Sequence, residues 1–210
     1  MLKCRKENIL IVYYSYSGKT RRIAEMIQEQ TGGSLSRIYP RQPYPSDFEG
    51  LLIQVKDEIR TGKKIPMLPV KEKADDYDVI FVGSPNWCGT IAPPIASWLR
   101  ENTLDQKIVL PFFSHCGGED KGMEQAVRNL CPGASVGSCL YVLENGSEDR
   151  YGIIREWLKQ NFPAADEQPL SEIGGSKVSE TSFIKCMVND KGQVLDLGTD
   201  SSYNIVENRK

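Results

Sequence analysis

The sequence predicts an α/β protein built on a doubly wound, five-stranded parallel sheet with a small C-terminal extension. Two observations carry that prediction. Apolar runs of strand length alternate with helix-periodic segments as far as residue 162, the pattern of strands whose crossover helices cover both faces of a sheet. The first run, Ile9-Leu10-Ile11-Val12-Tyr13-Tyr14, passes through the hydroxyl-rich turn Ser15-Tyr16-Ser17-Gly18-Lys19-Thr20 straight into a helix-periodic segment. A turn of this kind at a helix N-terminus is a cradle for an anionic group, because first-turn N–H groups and the dipole both face it.

The elements follow in order. Strand Ile9–Tyr14 precedes a helix from Thr20 to Thr31 with Ile23, Met26 and Ile27 inward, and strand Leu35–Tyr39 comes next. Phe48, Leu51, Leu52, Val55 and Ile59 trace one helical face, with Ser46 and Glu49 spaced as a capping box and Gly62 placed to stop the helix. Strand Val79–Gly83 leads to a helix behind Pro93-Pro94 with Ile95, Trp98 and Leu99 inward. Strand Ile108–Phe113 is followed by a helix carrying Met123, Ala126, Val127 and Leu130. Strand Ser138–Leu143 precedes a last helix after Ser147, with Tyr151, Ile154, Trp157 and Leu158 on one side.

The pattern changes after Phe162-Pro163, so residues 1–163 read as the core domain. Residues 164–169 read as a linker, and Phe183–Val188 with Gln193–Leu197 as a hairpin across Asn189-Asp190-Lys191-Gly192. That extension, 164–210, is too small to fold alone and is expected to pack on the core or on a partner chain.

Ligands of such sheets gather outside the carboxyl ends of the strands. In the first loop, Ser15, Ser17 and Thr20 supply neutral hydroxyl donors and Gly18 lets the backbone come close. It is not a nucleotide triphosphate loop, since the first glycine of G-x-x-x-x-G-K-[ST] would fall on Tyr13, nor a G-x-G-x-x-G turn, since serines precede its only glycine. The second loop, Ser84-Pro85-Asn86-Trp87-Cys88-Gly89-Thr90, joins a rigid proline, a large aromatic and a permissive glycine, which suits a flat ring. The third, Ser114-His115-Cys116-Gly117-Gly118-Glu119-Asp120, offers main-chain N–H groups to pyrimidine-type carbonyls, with His115 as a titratable neighbour.

Composition excludes several classes. A net charge of −2 and scattered Lys and Arg give no basic stripe for nucleic acid. The N-terminal apolar run of about six residues is too short for a signal-peptide core or a membrane span, so a cytoplasmic chain without membrane partners is expected. Six cysteines, at 4, 88, 116, 131, 139 and 186, show no C-x-x-C spacing and accompany a single histidine. Free thiols and no metal site are therefore expected, and Cys88 and Cys116 read as ordinary loop thiols.

Taken together, a phosphate cradle, an aromatic-proline-glycine shelf and a glycine-rich donor loop at successive strand ends resemble the flavodoxin family over roughly residues 8 to 162. Ser15-x-Ser17-Gly18-x-Thr20 is similar to its phosphate loop, and Gly83-Ser84-Pro85-Asn86-Trp87-Cys88-Gly89-Thr90 to the second flavin loop of its flavodoxin-like bacterial relatives. The resemblance implies strand order 2-1-3-4-5, in a short-chain form, and non-covalent FMN. Its phosphate would lie on Ser15, Ser17, Gly18, Lys19 and Thr20, with Tyr16 also among the cofactor-binding residues, Lys19 contributing mainly backbone and a salt bridge from Lys19 or Arg21 as an additional contact. Its ring would lie between Pro85, Asn86, Trp87, Cys88 and Gly89 on one side and Ser114, His115, Cys116, Gly117 and Gly118 on the other.

The implied function is an electron-transfer flavoprotein working between redox partner proteins or small electron acceptors. An FMN-dependent NAD(P)H:quinone or nitro-compound oxidoreductase, commonly a homodimer, is the alternative, and a scaffolding module that lost its cofactor is a third reading. Carrier flavodoxins usually place a stacking tyrosine in the third loop and have a strongly acidic surface. This chain has His115, Gly117 and Gly118 there and a nearly balanced charge.

Overall fold

The computed structural model describes residues 8–117, 122–143 and 149–161. The linker and hairpin expected after residue 163 lie outside the described residues, as do Gly118 and Ser147.

Seven strands and five helices alternate among the described residues: β1 (Ile9–Tyr13), α1 (Lys19–Thr31), β2 (Ser34–Arg37), α2 (Phe48–Thr61), β3 (Val79–Trp87), β4 (Thr90–Ile91), α3 (Pro93–Glu101), β5 (Ile108–His115), α4 (Met123–Leu130), β6 (Ser135–Val136), β7 (Leu140–Leu143) and α5 (Arg150–Asn161). The sheet runs β2-β1-β3-β5-β6, with β7 also on β5 and β4 off β3. All pairings are parallel except the β3–β4 hairpin.

Every residue of β1 is buried, as a central parallel strand covered on both faces requires. Its side chains alternate between two cores. Leu10, Val12 and Tyr14 face Leu51 and Val55 of α2, Ile95 and Trp98 of α3, and Met123 and Val127 of α4. Ile9, Ile11 and Tyr13 face Ile23 and Ile27 of α1 with Ile154 and Trp157 of α5. No helix among the described residues is long and apolar enough to cross a membrane.

Four sequence expectations are corrected. First, β3 continues past Gly83 to Trp87, and β5 past Phe113 to His115, because their ladder extends through Ser84↔Phe113 and Pro85↔Ser114, β4 pairs with Asn86 and Trp87, and β7 pairs with His115. Pro85, Asn86, Trp87, Ser114 and His115 thus stand on strands and not on loops. Proline is tolerated because β1 pairs with β3 only as far as Gly83, so Pro85 has no neighbour strand on that side demanding its N–H.

Second, the fifth strand is two short pieces, β6 and β7, separated by residues 137–139. Helix α5 fills the break: Trp157 Nε1 donates to the Ser138 carbonyl at 2.8 Å, and Asn161 Nδ2 to Ser138 Oγ at 2.8 Å. Third, the two-residue strand β4 is too short for a periodic signal. Fourth, Asp47 and not Ser46 caps α2, its Oδ1 accepting from Gly50 N at 2.7 Å. The helix does stop at Gly62, with φ 62°.

Candidate functional site

The first loop leaves β1 at the middle of the sheet. Gly18 is the N-cap of α1 at φ 83°, a left-handed geometry that favours glycine, and it brings no side chain to cap the helix. No acidic residue stands in the first turn. Ser15 and Thr20 are buried, Tyr16, Ser17 and Lys19 half-buried. Ser15 Oγ accepts from Arg21 N at 3.2 Å, and Thr20 Oγ1 lies 2.9 Å from Ser114 Oγ, tying the first loop to the end of β5. Tyr16 donates from its hydroxyl to the Pro45 carbonyl at 2.7 Å, which anchors the loop to the segment entering α2.

The second wall is the β3–β4 hairpin. Trp87 pairs with Thr90, so Cys88 and Gly89 alone make the turn, at φ 54° and 77°. Two consecutive positive φ values define the type I′ turn that matches strand twist. Asn86 Oδ1 accepts from Gly89 N at 3.0 Å. Cys88 stands exposed at the tip.

Trp87 is only 4% exposed. Its ring meets Tyr44 at 5.0 Å, Tyr14 at 5.4 Å and Tyr16 at 5.9 Å between centroids, each near-perpendicular, a preferred edge-to-face geometry. Tyr44 in turn donates to Glu58 Oε2 at 2.6 Å, and Gln54 Nε2 to Glu58 Oε1 at 2.8 Å, so the buried carboxylate is held on both oxygens. Burial, and then that bond, hold the Tyr44 phenol well above its ordinary range.

The third wall starts at the end of β5. Ser114 is buried, His115 half-buried, and Cys116 and Gly117 exposed. The His115 ring stands edge-on to Tyr141 of β7, 6.4 Å between centroids. The returning chain passes close to the second wall, since a Cβ on Gly122 would lie 2.6 Å from the Gly89 carbonyl oxygen. Cys88, Cys116, Cys131 and Cys139 are thiols in the structure. Burial pushes Cys131 up to about 11, and burial with Glu124 pushes Cys139 up to about 12, which leaves neither as thiolate at neutral pH.

The predicted residues 15–20, 85–89 and 114–117 therefore gather at one end of the sheet, while Gly118 lies outside the described residues. Two were missed. Arg37, at the end of β2, donates from Nη2 to the Ser15 carbonyl at 2.9 Å; strand order 2-1-3 would have brought it there. Tyr44, deep in the connection to α2, carries no local signal.

The residues present fit a phosphorylated aromatic ligand. The N-cap Gly18 supplies no side-chain acceptor, although Ser15 Oγ takes up the Arg21 N–H, and the buried Nε of Arg37 and Nε1 of Trp87 find no hydrogen-bond partner among the described residues. Such orphaned donors are costly unless a ligand or water completes them.

Comparison with known proteins bears on the class. The family model described as Flavodoxin matches residues 8–161. A solved structure from Bacteroides eggerthii, described as a flavoprotein, is 26% identical, covers 72% of this chain and 96% of its own, with a TM-score of 0.62. A Lactobacillus acidophilus flavoprotein in complex with FMN is 24% identical over 73% of this chain and 99% of its own, with a TM-score of 0.59. The apo-form of the flavoprotein from that organism is 23% identical over 72% and 97%, with a TM-score of 0.54. No curated protein matches the chain. The fold is that of a flavodoxin-like protein, and the chain belongs to the flavodoxin family.

Proposed function

We propose that the chain binds FMN non-covalently and carries electrons between redox partner proteins or small electron acceptors. One observation carries the reading: a glycine-capped α1 with hydroxyls at 15, 17 and 20 opens beside a hairpin turn and the end of β5, so a phosphate cradle and two ring walls share one rim. The FMN complex of the L. acidophilus flavoprotein, which shares the fold, supports the choice of cofactor.

When bound, FMN supplies reversible electron chemistry, and the protein's task is to bind, orient and tune it. The hydroxyls of Ser15, Ser17 and Thr20 and the first-turn N–H groups hold the phosphate as neutral donors, with Tyr16 fixing the loop and Lys19 contributing backbone. Pro85, Asn86, Trp87, Cys88 and Gly89 border one side of the ring. Trp87 is fixed there by its tyrosines, and the exposed turn offers main-chain groups to the ring edge. Ser114, His115, Cys116 and Gly117 would border the other side, while Gly118, the last residue of that set, lies outside the described residues. No acid-base residue is required, and the carrier works in the cytoplasm.

The reductase alternative differs in requiring hydride delivery. Mixing the FMN-loaded protein with NADPH tests this. A carrier stays oxidised, yet once reduced by dithionite it passes electrons rapidly to cytochrome c. Fast bleaching by NADPH with turnover of a quinone would replace the carrier reading with the enzyme.

A further inference from the structure

The first loop has a cationic neighbour that the hydroxyl pattern does not announce. Arg37 closes β2 directly opposite Tyr13 of β1. Its Nη2 holds the Ser15 carbonyl, its guanidinium lies 4.6 Å over the Tyr39 ring, and its Nε is buried with no hydrogen-bond partner among the described residues. We propose that Arg37 is the charged anchor of the cofactor's phosphate. It acts as a positioning residue, clamping Ser15 and presenting a fixed positive charge to the dianion. This rests on the FMN reading and adds to it a charged partner from outside the first loop.

The surroundings leave that charge available. Burial pushes the Tyr13 hydroxyl up to about 12, with Arg37 pulling the other way, so Tyr13 is a neutral phenol at pH 7 and cannot neutralise the guanidinium. Glu25, the carboxylate that also bears on Tyr13, lies 3.5 Å from Arg21 Nε. Arg37 makes no ion pair with a described residue. A guanidinium is always protonated, and its planar fork suits phosphate oxygens better than an ammonium does. Stacking on Tyr39 and the bond to Ser15 hold the fork in place before any ligand arrives, which lowers the ordering cost of binding.

The test uses the full chain titrated with FMN and with riboflavin, at low and high salt, for wild type, Arg37→Gln and Arg37→Lys. Wild-type FMN affinity should fall with salt while riboflavin affinity holds, because only the phosphate meets the charge. Arg37→Gln should lose about tenfold for FMN at low salt, show a flatter salt response and leave riboflavin unchanged. Arg37→Lys should recover part of the loss. Equal weakening of both ligands, or an Arg37→Gln protein with wild-type affinity and salt response, overturns the proposal and leaves the FMN reading standing. Should Arg37→Gln fail to fold, wild-type FMN affinity that ignores salt overturns it alone. Wild-type protein that prefers neither ligand, or binds neither, overturns the cofactor reading itself.

Discussion

The first loop and the β3–β4 turn touch through the rings of Tyr16 and Trp87, 5.9 Å apart, yet different forces hold them. The first loop is a polar structure. Its shape comes from Gly18 in the left-handed region, the Ser15 and Thr20 hydroxyl contacts, and the Arg37 clamp on the Ser15 carbonyl. The turn is exposed at Cys88 but stands on a buried aromatic cluster of Trp87, Tyr14 and Tyr44, anchored by Glu58. On the proposed FMN reading, phosphate recognition and ring environment are therefore separable. Removing the loop's hydroxyls should act mainly on the phosphate, and substitutions under the turn on stability and on the ring.

The sharpest way to break that separation is Trp87→Ala. If the indole is core, removing it should cost about 3–5 kcal/mol of stability without any cofactor present, measured by urea denaturation, and in the loaded protein it should change flavin fluorescence and potential. Unchanged stability would place Trp87 outside the core, and unchanged fluorescence and potential would remove it from the ring site. Next, the Ser17→Ala/Thr20→Ala double variant should weaken FMN by about a hundredfold and riboflavin hardly at all. Equal losses would mean that the loop shapes the whole site and not the phosphate end. Smallest is Tyr44→Phe, which takes one donor from the buried Glu58 carboxylate and should cost about 1–3 kcal/mol of stability, with the FMN-to-riboflavin preference intact. A changed preference would show that the cluster also shapes the cradle.

The same contrast explains what the sequence made legible. The first loop is a local object: strand, hydroxyl turn, glycine and helix are contiguous, and each residue type has one physical reason to be there. The alternation of elements likewise fixed the layers of the sheet in advance. The second and third walls mislead locally, because Ser84-Pro85-Asn86 and Ser114-His115 carry loop chemistry while the ladders of neighbouring strands keep them extended. The broken fifth strand depends on Trp157 and Asn161 arriving from α5. Ser46 and Asp47 are both good caps, and only the register of α2 chooses between them. Arg37 and Tyr44 reach the rim through pairing and packing across 22 and 43 residues of chain, respectively, counting from Ser15 and to Trp87, which no local pattern encodes.

The central claim is that the rim where β1, β3 and β5 end binds a phosphorylated flavin. Anaerobic titration of the purified full chain with FMN, followed by visible absorbance and by quenching of flavin fluorescence, tests it most directly. The account predicts saturable one-to-one binding with a perturbed flavin spectrum, and a clear preference for FMN over riboflavin that Ser17→Ala/Thr20→Ala abolishes. A spectrum identical to that of free FMN at saturating protein, with fluorescence unquenched, would contradict it.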